Sequence, residues 1–302
     1  MGTLFTLFAA LMTDIFVAHT SIDVLTFNVY AKPDPTNIRY TNERMEQICE
    51  VLKSGPWDVV MLQEVWTSGN RKRFRNCGYA HVMDLNRTGE NDTEGNLGSG
   101  LMILSRFPLQ QSHRLILSRP SFNWASVTHG EILVGKSVYL TQAELPNGKN
   151  VWFANTHLVA NYCKSVVYSD CDSYDVERLK QMTEAAQFVN SRTSGKSLVF
   201  AGDFNSGPHP FRNDSSWRNW EDLFPGLRQA PYDTANTCTS CGSNFFKATD
   251  SGKIDHIFAS SDLIPSNGKV VLDSVFTSRD DGEKLNLSDH YAWETRIDFG
   301  SN

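Results

Sequence analysis

Short apolar runs, rich in β-branched and aromatic side chains, recur along the chain in the pattern typical of β-strands. Two longer segments, residues 41–55 and 174–191, instead place their apolar residues on one face at helical spacing. Many strands with a few interspersed helices predict an α/β fold of two packed sheets with helices outside. The strand-like runs are IDVLTFNVY, WDVVMLQE, LGSGLMILSRFP, SVYLTQAEL, VWFANTHL, KSLVFAGD, KIDHIFAS and DHYAWETRIDF.

Composition limits the classes of function. The 302 residues are 40% hydrophobic and 11% aromatic, which is enough for a substantial core. A formal net charge of -6 supplies no basic surface, so we expect no tight nucleic-acid binding. The charge does not argue against chemistry on a phosphodiester. The chain shows no repeat and no linker, and we expect one catalytic domain over residues 21–302 and a monomer.

The N-terminal segment MGTLFTLFAALMTDIFVAHT is mostly apolar and contains no Lys or Arg. A transmembrane span needs about 20 apolar residues, and Asp14 interrupts this stretch. We expect residues 1–20 to be a signal peptide that is cut near Ser21, and the rest of the chain to have no transmembrane segment. The alternative is an apolar arm that packs on the core.

Cysteines and glycosylation motifs agree with a secreted protein. The six cysteines are even in number, and their simplest pairing joins Cys163 to Cys171 and Cys238 to Cys241, with Cys49 and Cys77 remaining. Other pairings stay open, and a zinc site is disfavoured because the single C-x-x-C has no matching second half. Asparagines in N-x-S/T triplets predict an extracellular glycoprotein. These are Asn86, Asn91, Asn213 and Asn286, the last of which we expect to be unused because it adjoins candidate catalytic residues.

The octapeptide GEILVGKS at residues 130–137 matches the phosphate-loop pattern G-x-x-x-x-G-K-S/T. That loop works only between a strand and the N-terminus of a helix. Here SVYLTQAEL, the turn NGKN and VWFANTHL follow, which together predict a β-hairpin. The context therefore argues against a nucleotide-binding loop.

Several predicted strands end on a polar residue that strand formation does not require. Taken singly, each has an ordinary interpretation as a turn former, a solvated strand end or a hydrogen-bonded histidine at the rim. Together they combine carboxylate and amide oxygens, which suit Mg²⁺, with histidines that titrate near neutral pH. The residues are Asn28, Glu64, His157, Asp203, Asn205, Asp289 and His290.

The motifs FNVY, LQEVW, GSGLMILSRFP, GKS, THLVA, GDFN, KIDHIF and SDH occur in this order between Ile22 and Phe299. In this the chain resembles the endonuclease/exonuclease/phosphatase superfamily and, within it, the neutral sphingomyelinases. The resemblance implies a DNase I-like four-layer α/β sandwich, with two packed mixed β-sheets flanked by helices. It also implies hydrolysis of sphingomyelin in membrane surfaces to ceramide and phosphocholine.

The resemblance assigns metal ligands. Glu64 would be the principal ligand of Mg²⁺, with Mn²⁺ or Co²⁺ as substitutes. Asn28 would lie beside Glu64, and Asp289 would lie near the metal. The cation would stabilise charge on the phosphorus as a Lewis acid.

The resemblance also assigns catalytic roles. His290 would be the general base that takes a proton from the attacking water, and Asp255 would orient its imidazole. Asp203 and Asn205 would position the nucleophile and the phosphoryl oxygens. His157 would stabilise charge on the phosphate.

Two departures from the family pattern concern single residues. Related sphingomyelinases carry an Asp and a lysine on the G-K segment, and here Glu131 replaces the Asp. Glu131 and Lys136 are the substrate-binding or regulatory candidates at those positions. The alternative for Lys136 is a surface lysine at a hairpin. His256 stands where relatives carry an aromatic residue, and we interpret it as structural.

Two other functions remain open. One is a secreted DNase I-like nuclease, which the acidic charge disfavours. The other is a catalytically inactive lipid-binding relative, which the presence of every strand-end residue disfavours.

Overall fold

A computed structural model describes residues 20–32, 38–85, 98–119, 134–160, 171–208, 215–246 and 251–300. The helices are α1 (Ile38–Ser54), α2 (Ser68–Arg75), α3 (Cys171–Thr193), α4 (Ser215–Arg218) and α5 (Trp220–Leu223). The strands are β1 (Ser21–Asn28), β2 (Val59–Gln63), β3 (His81–Met83), β4 (Met102–Ser105), β5 (Leu109–Ile116), β6 (Ser137–Glu144), β7 (Asn150–His157), β8 (Leu198–Asp203), β9 (Asp255–Ala259), β10 (Leu263–Val271), β11 (Val275–Thr277), β12 (Lys284–Asn286) and β13 (Ala292–Phe299).

The strands form two large mixed sheets. The first sheet has six strands in the order β10-β13-β1-β2-β4-β3, and the second has five in the order β5-β6-β7-β8-β9. Each sheet contains one parallel pair, β1 with β2 in the first and β7 with β8 in the second. The strands β11 and β12 form a separate hairpin. Because parallel neighbours end at the same edge, each sheet gathers two strand ends at one place.

Alternating side chains of the strands fill three apolar clusters. Val59 and Met61 of β2 face the cluster between the two sheets, and Val60 and Leu62 face a second cluster under α1 and α2. A third cluster lies between the second sheet, α3 and α5. The layers therefore run helix, sheet, sheet, helix. The two packed mixed sheets with outer helices that the sequence predicted are confirmed.

Three local predictions concern the phosphate-loop match, the two amphipathic segments and the glycosylation motif at Asn286. The segment after Lys136 forms the antiparallel pair β6 and β7, so the phosphate-loop match is followed by a hairpin and not by a helix. The two amphipathic segments lie in α1 and α3. Asn286 is 3% exposed, and its side chain donates to the Asp273 carbonyl oxygen and accepts from the Phe245 amide. A glycan at Asn286 would therefore disrupt this packing.

Two disulfides are present among the described residues, Cys49–Cys77 and Cys238–Cys241. Cys163 lies outside the described residues and the side chain of Cys171 is not described, so that pairing stays a prediction. Also outside the described residues are residues 1–19, Glu131 and the asparagines at 86, 91 and 213. The signal peptide, the role of Glu131 and the use of these three glycosylation motifs therefore stay predictions. In the described part of the chain, no helix is both long and apolar enough to span a bilayer.

The packing between the sheets predicts a large cost for truncating Phe153, which is fully buried in the central cluster. Phe153→Ala should lower the free energy of unfolding by about 3–5 kcal/mol, because it removes apolar contacts and leaves a cavity. Ile264→Ala is the control, since Ile264 is 48% exposed on β10; it should cost within about 1 kcal/mol. Urea denaturation measures both, and equal costs would contradict this account of the core.

Candidate active site

The first sheet places Asn28 and Glu64 side by side. In the parallel pairing of β1 with β2, Asn28 lies opposite Gln63, and Glu64 follows directly. On the other side of β1, the antiparallel partner β13 begins at Ala292, so Asp289 and His290 enter the same edge just before that strand. The order of the strands therefore places these residues, which are distant in sequence, at one edge of the first sheet.

The second sheet contributes one row of three residues. His157 pairs with Asp203 across β7 and β8, and Asp203 pairs with Asp255 across β8 and β9. Paired residues on neighbouring strands point to the same face of the sheet. Gly202 supports this row, because a Cβ at that position would collide with the carbonyl oxygen of Thr156 on β7.

The two edges are joined by hydrogen bonds. Asn28 Nδ2 donates to Asp203 Oδ2 at 2.9 Å and, more weakly, to Glu64 Oε1 at 3.3 Å. The Ser288 hydroxyl donates to the Asn28 carbonyl oxygen at 2.6 Å. Asn28 therefore connects both sheets and the segment that carries His290.

Three of the six described non-glycine residues with positive φ lie at the same edge. Glu64, Tyr30 and Asn205 have φ values of 60°, 50° and 50°, in the left-handed region that side chains other than glycine rarely adopt. Such conformations cluster at functional sites, where the surrounding structure maintains them. The Asn205 amide group is also committed locally, since Nδ2 donates to the Leu158 carbonyl oxygen at 2.9 Å.

His290 and Asp255 form a buried pair. His290 Nδ1 lies 2.8 Å from Asp255 Oδ2, and His290 Nε2 lies 3.9 Å from Asp203 Oδ2. Burial lowers the pKa of His290, but the carboxylates of Asp255, Asp203 and Asp289 outweigh it and raise the pKa to about 9. The pair has the arrangement of an imidazole that is oriented through Nδ1 and presents Nε2 for proton transfer.

His157 has a different electrostatic environment. Its Nε2 lies 3.2 Å from Lys136 Nζ and 3.6 Å from Asp203 Oδ2. Burial lowers the pKa of His157 well below its usual value, and Lys136, His290 and Lys32 lower it further. The imidazole is therefore neutral at pH 7. Lys136 itself is 4% exposed, so the interpretation as a surface lysine is wrong.

The edge concentrates buried carboxylates. Glu64, Asp203, Asp255 and Asp289 are each at most 8% exposed, and burying such groups is costly unless they are compensated. Burial raises the pKa of Asp203, the neighbouring Asp255 raises it further, and His290 and Asn28 oppose the shift. Asp255 Oδ1 is buried without a hydrogen-bond partner among the described residues. Oxygen donors with excess negative charge fit a divalent cation such as Mg²⁺.

Two sets of side chains compete as ligands. Asp203, Asp255 and His290 offer ligand atoms within 4.8 Å of one another. In that set, however, Asp255 Oδ2 and His290 Nδ1 already form a hydrogen bond at 2.8 Å. Among the described residues, Glu64 has only the weaker contact with Asn28 and one with Trp66 Nε1 at 3.4 Å. Asn28 Oδ1 is also engaged, since it accepts from the Tyr30 amide at 3.0 Å. The ligands that the family resemblance assigns, Glu64, Asn28 and Asp289, therefore stay a prediction.

The sequence prediction missed two residues at this edge. Arg44 is 1% exposed, and its guanidinium donates to the carbonyl oxygens of Val29, Tyr30 and Leu287. The available signal was a charged residue on the apolar face of α1, one turn after Tyr40. The second is Tyr30: burial raises the pKa of its hydroxyl, and the nearby Asp289 and Glu64 raise it further against the opposing Lys32.

The fold and site define a four-layer α/β sandwich of the DNase I-like type with a buried polar site where the two sheet edges meet. The chain belongs to the Endonuclease/Exonuclease/phosphatase family, which matches residues 25–290. It is similar to a mutant of beta toxin from Staphylococcus aureus with bound magnesium ions, at 16% identity and a TM-score of 0.69, over 93% of this chain and 100% of that one.

Two curated relatives are similar in sequence. A putative neutral sphingomyelinase of Drosophila melanogaster is 27% identical over 285 residues, which cover 90% of this chain and 59% of the fly protein. An inositol phosphosphingolipids phospholipase C of Schizosaccharomyces pombe is 27% identical over 306 residues, 90% of this chain and 67% of the yeast protein. The chain thus spans about three fifths to two thirds of the length of these relatives.

The charge of the site predicts that a divalent cation stabilises the fold. At about a hundredfold excess over Kd, Mg²⁺ or Mn²⁺ should raise the free energy of unfolding by about 2.7 kcal/mol, because the cation binds only the folded chain. Glu64→Gln should lose most of this gain, whereas Glu144→Gln, at the exposed end of β6, should keep it. Thermal unfolding with cation and with chelator measures the effect. An unchanged melting temperature in the wild type would contradict the metal site.

Proposed function

We propose that the protein is a Mg²⁺-dependent phosphodiesterase of phospholipase C type, which hydrolyses sphingomyelin to ceramide and phosphocholine. The observation that carries the proposal is the buried pair His290–Asp255 at 2.8 Å, placed beside Asp203 and the carboxylates of the first sheet. This arrangement combines a general base with a candidate cation site, two groups that promote the attack of water on a phosphodiester. The names of the fly and yeast relatives support a sphingolipid phosphodiester as substrate.

The proposed proton transfer uses His290. Its Nε2 takes a proton from the water that attacks phosphorus, the bond from phosphorus to the ceramide oxygen breaks, and that oxygen leaves with a proton as the ceramide hydroxyl. Asp255 keeps Nδ1 protonated so that Nε2 is the acceptor. Because carboxylates raise the pKa of His290 to about 9, the imidazole needs nearby positive charge to be neutral at pH 7. A Mg²⁺ held by Glu64, Asn28 and Asp289 would supply that charge and act as a Lewis acid on the phosphoryl group.

Positive and neutral groups of the second sheet face the phosphate in this proposal. His157 is neutral, so it does not act on the phosphate as a cation, and its Nε2 accepts from Lys136 Nζ. Lys136, 3.2 Å from His157 Nε2, is the cationic group on that side. Asp203 accepts from Asn28 and from the Asn205 backbone amide at 2.9 Å, which fixes its carboxylate for positioning the attacking water.

The substrate assignment is tested by offering two phosphodiesters to the purified protein. Sphingomyelin vesicles should release phosphocholine with Mg²⁺, chelator should abolish the release, and plasmid DNA should stay intact. Glu64→Gln should show the same loss as chelator, with Glu144→Gln as the active control. Cleavage of DNA without release of phosphocholine would favour the nuclease alternative, and no cleavage of either would favour the inactive lipid-binding alternative.

The role of His290 is tested by His290→Ala. Loss of a general base typically lowers kcat about 10²- to 10⁴-fold, whereas Mg²⁺ should bind at least as tightly, because a charged imidazole near the cation is removed. Asp255→Asn should give a smaller loss, because the base remains without its orienting partner. His113→Ala is a matched control, since His113 lies on β5 with its ring against Trp152, outside the site residues. Retention of more than about a tenth of kcat by His290→Ala would contradict the assignment.

A further inference from the structure

The short turn closed by the disulfide Cys238–Cys241 lies between the two segments that carry the catalytic pair. Its second residue, Thr239, is fully buried. The Thr239 amide donates to the Gly252 carbonyl oxygen at 3.0 Å, three residues before Asp255. The Thr239 carbonyl oxygen accepts from the Tyr291 amide at 2.7 Å, directly after His290. One residue therefore bonds to both segments.

The Thr239 side chain adds a second link to Asp255. Its Oγ1 accepts from the backbone amides of Ile254 at 3.1 Å and Asp255 at 3.2 Å. Asp255 is the first residue of β9, so this hydroxyl accepts hydrogen bonds from the backbone amides at the start of the strand. The hydroxyl thus adds a restraint on the Asp255 main chain, which is also paired with β8 and whose carbonyl oxygen accepts from Lys253 Nζ at 2.8 Å.

The Asp255 carboxylate has few other restraints. Its Oδ2 bonds to His290 Nδ1, and its Oδ1 has no hydrogen-bond partner in the described part of the chain. The direction of the carboxylate consequently follows the backbone on which it stands. A catalytic group that misses its geometry by about 1 Å can lose about 10²-fold in rate.

The disulfide closes this turn, and backbone hydrogen bonds attach the turn to the segment before β9. Cys238 and Cys241 lie with their Cα atoms 5.5 Å apart, and Ser240 inside the turn exchanges backbone hydrogen bonds with Gly252 at 2.9 and 3.0 Å. The loop that the disulfide closes spans only 3 residues, against 28 for Cys49–Cys77. Since stabilisation through the unfolded state grows with loop length, the short disulfide contributes less to global stability than the long one.

We propose that Thr239, held by the Cys238–Cys241 disulfide, is a positioning residue that sets the geometry of the Asp255–His290 pair. The expected effect on kcat rests on the proposed function. The expected effect on the geometry of the pair rests on the hydrogen bonds alone. It predicts that the small disulfide matters to catalysis and the large one to stability.

Thr239→Val tests the hydroxyl, because it removes the acceptor at nearly constant volume. It should lower kcat about tenfold or more with KM nearly unchanged, and Thr239→Ser should restore kcat to within about threefold of the wild type. The control is Thr193→Val, which loses a buried hydroxyl bond to the Val189 carbonyl oxygen at the end of α3 and should keep full activity. Equal activity of Thr239→Val and wild type would overturn the proposal.

A double substitution separates positioning from general destabilisation. If Thr239 acts through Asp255, Thr239→Val should add little to the loss already caused by Asp255→Asn. Full multiplication of the two losses would show that Thr239 acts elsewhere and would overturn the proposal.

The disulfides give a matched pair of variants that does not depend on folding of Thr239→Val. Cys238→Ser with Cys241→Ser should lower kcat as Thr239→Val does, while the melting temperature falls only slightly. Cys49→Ser with Cys77→Ser should lower the melting temperature more and leave kcat near the wild-type value. The reverse pattern would overturn the proposal.

Proton NMR of the metal-free protein distinguishes this inference from the proposed function. The Nδ1 proton of His290, shared with Asp255, should give a low-field resonance that disappears in His290→Ala. That resonance should shift or broaden in Thr239→Val and persist in Thr239→Ser. If the wild type hydrolyses no phosphodiester but the resonance behaves in this way, the proposed function fails and the positioning role stands. An unchanged resonance in Thr239→Val would overturn the positioning role whatever the activity.

Discussion

Hydrogen bonds between buried side chains of the two sheets are the constraint on which the site depends. Gln63 Nε2 donates to Asn155 Oδ1 at 2.8 Å, and Asn155 Nδ2 returns to the Leu62 carbonyl oxygen at 2.9 Å. Toward the edge, Asn28 donates to Asp203 at 2.9 Å. Apolar contacts alone tolerate sliding of one sheet over the other, whereas these bonds are lost if the sheets shift, and a buried unpaired amide is costly. The two halves of the site therefore have one relative position.

Burial of the site residues also shifts their pKa values. Carboxylates at the edge raise the pKa of His290 and Asp203, while His157, next to Lys136, is held neutral. Neighbouring titratable groups with pKa values pushed apart are the usual arrangement for dividing acid and base roles. A cation bound by the carboxylate oxygens would offset the excess negative charge and lower the pKa of His290. The neutral imidazole could then accept a proton. In the proposed function, the charges of the site would therefore couple metal binding to proton transfer.

Periodicity and strand-end chemistry predicted the sheets, the helices and the residues that the structure brings to one edge. Asn28, Glu64, His157 and Asp203 were identifiable because each ends an apolar run where a polar residue has no role in the core. The burial of Lys136 was not identifiable, because a lysine on a hairpin is ordinarily solvated and only the neighbouring layers enclose it. Arg44 and Thr239 contact backbone groups of other segments; the charge of Arg44 on the apolar face of α1 was a local signal, whereas no local pattern marks the contacts of Thr239.

The sequence by itself determined the order of strands and helices, the apolar faces and the chemical types at the strand ends, because these follow from the period of side chains along one element. Tertiary structure alone decided which strand ends meet, the 2.8 Å pairing of His290 with Asp255, and the bridge through Thr239. These contacts join positions that are 35 and 16 residues apart, and their geometry depends on sheet order and layer packing. Proton affinities follow from the same contacts, because burial and neighbouring charges exist only once the layers have closed.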